Sequence, residues 1–203
     1  MVTVAITGGI ACGKSFCASV FENNNIKTLD ADKISHSLTS KEGPALTAIE
    51  LAFGKEYIKN GSLDKQAMGK LVFSESSARQ RLNDILHPII YKAIKDELHN
   101  LEQQYCPMVA IEIPLLFEAN MENLANFVIC CHTTRQIQIE RLVKRNKLSK
   151  TEAIKRIDSQ MSLQRKMELS DFLVDTSYGF QNTQAQVEAI INIVKEGING
   201  SKQ

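Results

Sequence analysis

A chain of 203 residues with 43% apolar and 23% charged side chains can bury one sizeable core, which excludes an intrinsically disordered chain. Its 24 Lys and Arg against 23 Asp and Glu leave a formal charge of +1, so no whole-molecule field draws it to nucleic acid or to an anionic membrane, and any basic site must be local. Five cysteines, Cys12, Cys17, Cys106, Cys130 and Cys131, form neither a paired C-x-x-C set nor an even disulfide framework, and four of them read as small buried apolar residues.

The N-terminal residues lack the charged start and long apolar run of a signal peptide, and no stretch is long enough to cross a bilayer, so a cytoplasmic protein is expected. Residues 2–7 are a Val- and Ile-rich run that predicts a buried strand. Directly after it comes Gly8-Gly9-Ile10-Ala11-Cys12-Gly13-Lys14-Ser15, a full G-x-x-x-x-G-K-[ST] motif, followed by a helical pattern over 14–23. Such a loop turns successive backbone N–H groups inward on phosphate oxygens, a curvature that side chains would obstruct, while the helix N-terminus adds partial positive charge. Gly9, Ala11, Cys12, Gly13, Lys14, Ser15 and Phe16 are therefore candidate ATP-binding residues. Lys14 is expected to reach the β- and γ-phosphates, and the Ser15 hydroxyl to hold Mg²⁺.

A second strand is predicted over 27–30, and Asp32 stands just past it. On that edge of an α/β sheet strand ends face the ligand, so Asp32 is the candidate group that aligns an acceptor hydroxyl and takes its proton. Asp30 is the second acid there, and a helix-capping role is open to both. Residues 33–107 carry helical patterns at 63–73 and 89–101, broken by Gly43-Pro44 and Asn60-Gly61. This predicts a mostly helical subdomain inserted in the sheet domain. Within it His87 precedes Pro88, either to hydrogen-bond a phosphate or ribose of the acceptor or to start a helix.

Further strands are predicted over 108–113, 127–131 and 172–175. Glu112 is placed to hold Mg²⁺ through water, and 114–118 should form a loop and helix start beneath the acceptor site, which makes Leu115 a candidate substrate contact. Residues 135–166 hold ten Lys or Arg against three acids, as a mobile lid bringing cations onto phosphates requires or as a solvated basic helix face has. Arg141 and Arg145, one helical turn apart, share a face and can converge on a polyphosphate. The whole predicts an α/β fold: a P-loop kinase core with a mainly parallel sheet flanked by helices, an inserted helical acceptor domain and a helical lid.

Taken together, Thr7-Gly8-Gly9-Ile10 running into the P-loop, Asp30-Ala31-Asp32, Leu86-His87-Pro88, Pro114-Leu115-Leu116-Phe117-Glu118, Gln138 through Arg141 with Arg145, and Ser170 through Asp175 resemble dephospho-coenzyme A kinases over nearly the whole chain. The resemblance implies ATP-dependent phosphorylation of the ribose 3′-hydroxyl of dephospho-coenzyme A, with Mg²⁺, on a three-part architecture. It implies a nucleotide core of 1–32, 108–134 and 167–203, an acceptor subdomain of 33–107 and a lid of 135–166. By position Asp32 is then the base, Lys14 and Ser15 the phosphate and Mg²⁺ residues, Arg141 a catalytic lid arginine, and Asp32, His87 and Leu115 acceptor contacts.

Three positions depart from the family pattern: Cys12 stands where Ser is usual, Phe16 where Thr is usual, and Thr176 where Asn is usual. Phe16 offers no hydroxyl toward the α-phosphate, and Thr176 removes an expected adenine contact. The loop N–H groups and Lys14 are expected to lower the Cys12 thiol pKa and make it readily alkylated. A kinase of nucleosides or nucleoside monophosphates shares Lys14, the acid and the arginine lid, and so stays open. A guanine switch is disfavoured, because Ser149 in Asn146-Lys147-Leu148-Ser149 lacks the carboxylate that would read guanine.

Overall fold

The structure, a computed structural model, describes residues 1–200; residues 201–203, the end of the expected third core segment, lie outside the described residues. In chain order its elements are β1 (Val2–Gly8), α1 (Lys14–Asn23), β2 (Lys27–Asp30), α2 (Ala31–Leu38), α3 (Leu46–Phe53), β3 (Ile58–Lys59), β4 (Ser62–Leu63), α4 (Lys65–Ser74) and α5 (Ser76–Gln103). There follow β5 (Met108–Glu112), β6 (Phe127–His132), α6 (Arg135–Asn146), α7 (Lys150–Asp158), α8 (Leu163–Glu168), β7 (Phe172–Asp175) and α9 (Phe180–Gly200). Each predicted apolar run is a strand, and each belongs to one five-stranded sheet of order β2-β5-β1-β6-β7. β5 and β6 flank β1 in parallel, and β7 runs parallel to β6.

The continuous apolar character of β1, β5 and β6 follows from burial on both faces, whereas the edge strands β2 and β7 are only partly buried. On one face Val4, Ile6, Ala110, Ile129, Cys131 and Val174 pack against Cys17, Val20 and Phe21 of α1 and Val187, Ile190 and Ile191 of α9. On the chain, Val4 and Ile6 alternate with Ala5, and Ile129 and Cys131 with Cys130, so the intervening residues serve the opposite face. α8 lies against β1 and β6. Phe21 is 1% exposed; truncating such a core aromatic to Ala costs about 3–5 kcal/mol. Four cysteines are buried and Cys106 is half-buried, and Cys131 Sγ approaches Cys17 Sγ to 3.1 Å inside the core.

The chain divides into two compact units, one of Met1–Leu29 with Leu101 onward, the other Asp30–Asn100. The second is mostly helical, with Ile49, Met68 and Ile94 buried. Its helical pattern at 63–73 begins two residues late, at Lys65, because Leu63 is in β4 and the Asp64 carboxylate caps the helix by accepting from the N–H groups of Gln66 and Ala67. Asn60 and Gly61, at φ 52° and 73°, supply the two positive-φ residues of a tight hairpin between β3 and β4. His87-Pro88 does not start a helix: both lie inside the 28-residue α5, where Pro88 leaves one carbonyl without its usual donor. Residues 114–120 form successive turns rather than a helix start. Among the described residues no helix is long and apolar enough to cross a membrane.

Candidate active site

The loop between β1 and α1 is shaped by two glycines. Gly8, at φ +140°, sits so close to β6 that a Cβ would lie 2.1 Å from the Cys131 carbonyl oxygen. Gly13, at φ +79°, takes the left-handed conformation that lets the chain enter α1 without a side-chain cap. Phe16 and Cys17 then donate back to the Gly13 carbonyl at 3.1 and 3.2 Å, and the helix begins with its free N–H groups beside the loop.

Lys14 is 9% exposed and turns back across the loop, its Nζ donating to Gly9 O at 3.0 Å and to Gly8 O at 3.4 Å. The ammonium thus stands at the mouth of the phosphate cradle. Ser15 Oγ donates to Glu112 Oε1 at 2.9 Å. The hydroxyl from α1 and the carboxylate at the end of β5 are therefore brought together, two oxygen groups of the kind that suit a hard divalent cation.

The segment 135–166 is fastened to this loop through uncharged groups as well as cations. Gln138 Nε2 donates to Ile10 O at 2.8 Å and Gln160 Oε1 accepts from Ile10 N at 3.0 Å. Ile10 and Ala11 also pack against Ile139, Leu142 and Ala153. Arg141 Nη1 donates to Ala11 O at 3.1 Å and to Thr176 Oγ1 at 3.0 Å, while Nη2 donates to Thr176 O at 2.7 Å. Arg141 thereby links the loop to the residue following β7. Arg145 is exposed, with Nε donating to Asn146 Oδ1 at 3.0 Å.

Beside the loop lies a cavity of about 700 Å³ lined in part by Ala11, Gly13, Phe16, Arg141, Arg145 and Phe180, within the size range of nucleotide-type ligand pockets. The two arginines do share this wall. Phe16 contacts Phe180 with ring centroids 4.8 Å apart. Thr176 Oγ1 donates to His132 O at 3.2 Å while accepting from Arg141, so its hydroxyl is committed within the protein.

The expected reactivity of Cys12 is overturned. The thiol is 0% exposed, and burial raises its pKa above the usual thiol value, with Lys14 and Arg141 only partly opposing the shift. Desolvation of the thiolate outweighs the two nearby cations and the backbone groups of Gly9 and Thr133 that favour it.

Lys166 is the residue that charge counting misplaces. Far from a solvated basic face, its side chain is 0% exposed, with Nζ 2.9 Å from Glu118 Oε1 and donating to Pro114 O at 2.8 Å. Glu118 Oε1 also accepts from Met161 N at 3.0 Å, and its Oε2 is buried without a hydrogen-bond partner. Burial pushes the Lys166 pKa down and Glu118 pulls it back. Neither Lys166 nor Phe180 and Lys144, which also lines the cavity, stands out by spacing; Gln138 does, three residues before Arg141 on one helix face. Leu115 is 36% exposed in the turns after β5.

Asp32 and His87 are carried by the unit of residues 30–100. There the two acids after β2 separate into roles: the Asp30 carboxylate accepts from the N–H groups of Asp32 and Lys33 at 2.9 and 3.0 Å and caps α2. Asp32 is the second residue of that helix and is exposed. His87 is half-buried; burial lowers its pKa, and Asp84 opposes the shift.

The family model described as dephospho-CoA kinase matches residues 2–182. A dephospho-CoA kinase of Latilactobacillus sakei is 32% identical over 93% of this chain and 93% of its own. Among solved structures, the protein TT1252 of Thermus thermophilus superposes with a TM-score of 0.79 at 26% identity, over 96% of this chain and 97% of that one. A dephospho-CoA kinase from Campylobacter jejuni gives 0.71 at 28%, over 96% and 98%. With the P-loop, the parallel sheet and the match over most of its length together, the chain belongs to the dephospho-CoA kinase family.

Proposed function

We infer that this transferase moves the γ-phosphoryl group of ATP to the ribose 3′-hydroxyl of dephospho-coenzyme A, yielding coenzyme A and ADP. The observation that carries the reading is the cradle of residues 8–15, closed by Lys14 and set beside the Ser15–Glu112 pair. In transfer the bond from the γ-phosphorus to the β,γ-bridging oxygen breaks as the bond to the 3′-oxygen forms. The hydroxyl proton passes to the Asp32 carboxylate. The transition state is largely dissociative, so the protein's part is alignment and charge stabilisation, with the proton taken late.

Each role follows from chemistry at a named atom. Lys14 Nζ exchanges its carbonyl partners for β- and γ-phosphate oxygens. Arg141 has five N–H donors, three of which are committed to Ala11 and Thr176, leaving two for the transferring group. Arg145, on the same cavity wall, meets the polyphosphate. Mg²⁺ fits the Ser15 hydroxyl and Glu112 carboxylate, and when bound it neutralises charge on the β- and γ-oxygens. Residues 33–107 serve as the acceptor subdomain, with His87 and Leu115 contacting dephospho-coenzyme A, and 135–166 as the lid. We assign the protein to the cytoplasm, where ATP is supplied, with neither nucleic acid nor membrane as partner at a net charge of +1.

The test is incubation with ATP, Mg²⁺ and dephospho-coenzyme A and mass analysis for one added phosphoryl group, with nucleosides and nucleoside monophosphates run in parallel. Phosphorylation of a nucleotide acceptor in preference to dephospho-coenzyme A replaces this reading with the second kinase class. Asp32→Asn is expected to keep ATP affinity and lose about 10²–10⁴ in turnover; near-normal turnover removes Asp32 from the base role.

A further inference from the structure

Both backbone groups of Ile10 are held by glutamines from the segment after β6. Gln138 on α6 donates its Nε2 to Ile10 O at 2.8 Å, and Gln160, between α7 and α8, accepts from Ile10 N through its Oε1 at 3.0 Å. Gln138 is 3% exposed, and burying a carboxamide is costly unless its hydrogen bonds are made. Gly9 leaves room for it: a Cβ there would stand 2.6 Å from Gln138 Nε2 and push the amide off the Ile10 carbonyl. The next residue is gripped as well, since Ala11 O accepts from Arg141.

Ala11 is where this loop is strained. Its φ of 61° lies in the left-handed region, which a residue with a Cβ adopts at a cost and keeps only where neighbouring contacts impose it. The contacts around it do so. Ile10 N belongs to the peptide joining Gly9 to Ile10, Ile10 O to the peptide entering Ala11, and Ala11 O to the peptide leaving it. Gln160, Gln138 and Arg141 therefore fix three successive peptide planes that bracket the strained residue. Because the Ile10 N–H is taken by Gln160, this residue gives the cradle its shape rather than a donor.

We propose that Gln138 and Gln160 are positioning residues for the phosphoryl donor, holding the loop at Ala11 in its phosphate-ready shape before a nucleotide arrives. This rests on the reading of residues 8–15 as the ATP cradle. A loop that holds the shape only part of the time binds ATP more weakly by that fraction. Once the triphosphate is seated, its oxygens hold the loop themselves and turnover at saturation is spared. The loss falls on KM for ATP and not on kcat. The test is MgATP binding to the full chain by isothermal titration calorimetry, with steady-state transfer to dephospho-coenzyme A, in wild type, Gln138→Met and Gln160→Met. Each substitution keeps the side chain's length and removes its hydrogen bond. Each is expected to weaken MgATP binding and raise its KM by about tenfold, the worth of one hydrogen bond, with kcat little changed. Gln160 is half-buried, so its variant carries the test should Gln138→Met not fold.

A second comparison sets the hydrogen bond against charge. Gln160→Glu keeps an oxygen for the Ile10 N–H but adds negative charge near a polyphosphate, whereas Gln160→Lys adds positive charge and has no acceptor. The proposal expects Gln160→Glu to bind MgATP more tightly than Gln160→Lys; charge alone gives the reverse order, and that order overturns it. A fall in kcat with KM unchanged assigns the glutamines to fold stability and overturns it too. Wild type that binds no MgATP strikes the cradle reading and the proposal together, whereas binding by wild type with unchanged affinity in both Met variants strikes the proposal alone.

Discussion

Replacing Lys166 by Met removes the cation from an ion pair whose lysine is fully buried and whose carboxylate is 21% exposed, while keeping most of the side chain's volume. Two groups then lose a partner. The Glu118 carboxylate is left with the Met161 N–H on Oε1 and nothing on Oε2, and the Pro114 carbonyl keeps only the Thr7 hydroxyl at 3.4 Å. An unsatisfied buried polar group costs about 1–3 kcal/mol, and breaking a buried ion pair by deleting one partner about 3–5 kcal/mol. Lys166→Met should therefore lose about 4 kcal/mol and, with a urea slope of about 2–3 kcal/mol per molar, lower the unfolding midpoint by about 1.5 M. Adding Glu118→Leu should restore most of the loss, because an apolar pair of similar volume carries no desolvated charge. Amide exchange at Met161 and Ile10 should quicken in the single variant, since Glu118 holds the first amide and Gln160, the residue before Met161, accepts from the second. A loss below about 1 kcal/mol, or no recovery in the double variant, refutes the reasoning and means that the pocket admits enough water to solvate the carboxylate.

Three other outcomes are expected. Iodoacetamide applied to the native chain at pH 8 should label half-buried Cys106 and spare Cys12, whose thiol is buried and raised in pKa; equal rates by peptide mass analysis would contradict this. Gly8→Ala should fail to yield soluble protein or bind ATP, because the new Cβ meets backbone 2.1 Å away; wild-type ATP affinity would show that β6 can yield. His87, its pKa lowered by burial, is favoured neutral in the folded state. Its stabilising contribution is thus complete above about pH 6.5 and lost as pH falls through the folded value. His87→Gln should flatten the decline of the urea midpoint between pH 7 and 5, and an unchanged decline would place His87 in solvent-like surroundings.

The sheet and the P-loop were legible because both follow from local rules. A strand buried on two faces must be continuously apolar, and a phosphate cradle must carry glycine where β6 and the entry to α1 leave no room for a Cβ. Helix boundaries near His87 were less so: proline signals a break, but α5 continues through Pro88 with apolar residues on both sides, Leu86 and Ile90 among them, supporting it. The electrostatic environment was least legible. Lys166 sits in a run of Lys and Arg whose other members, half-buried Arg141 apart, are exposed, and only the fold brings Glu118, 48 positions earlier in the sequence, against it. Cys12 failed for the complementary reason, because the charges near it are visible in the sequence while the packing that desolvates it is not.

The departures from the family pattern gain meaning from what they touch. Thr176 accepts two of the three hydrogen bonds that orient Arg141 and lies beside Gly13 at the head of α1. Thr176 therefore orients Arg141 and borders the glycine loop at once. Phe16, three residues after that glycine, offers no hydroxyl and contacts the ring of Phe180. Both departures thus act through intramolecular contacts beside Gly13: Thr176 supplies acceptors that hold Arg141 in place, and Phe16 supplies a ring contact that joins α1 to the start of α9.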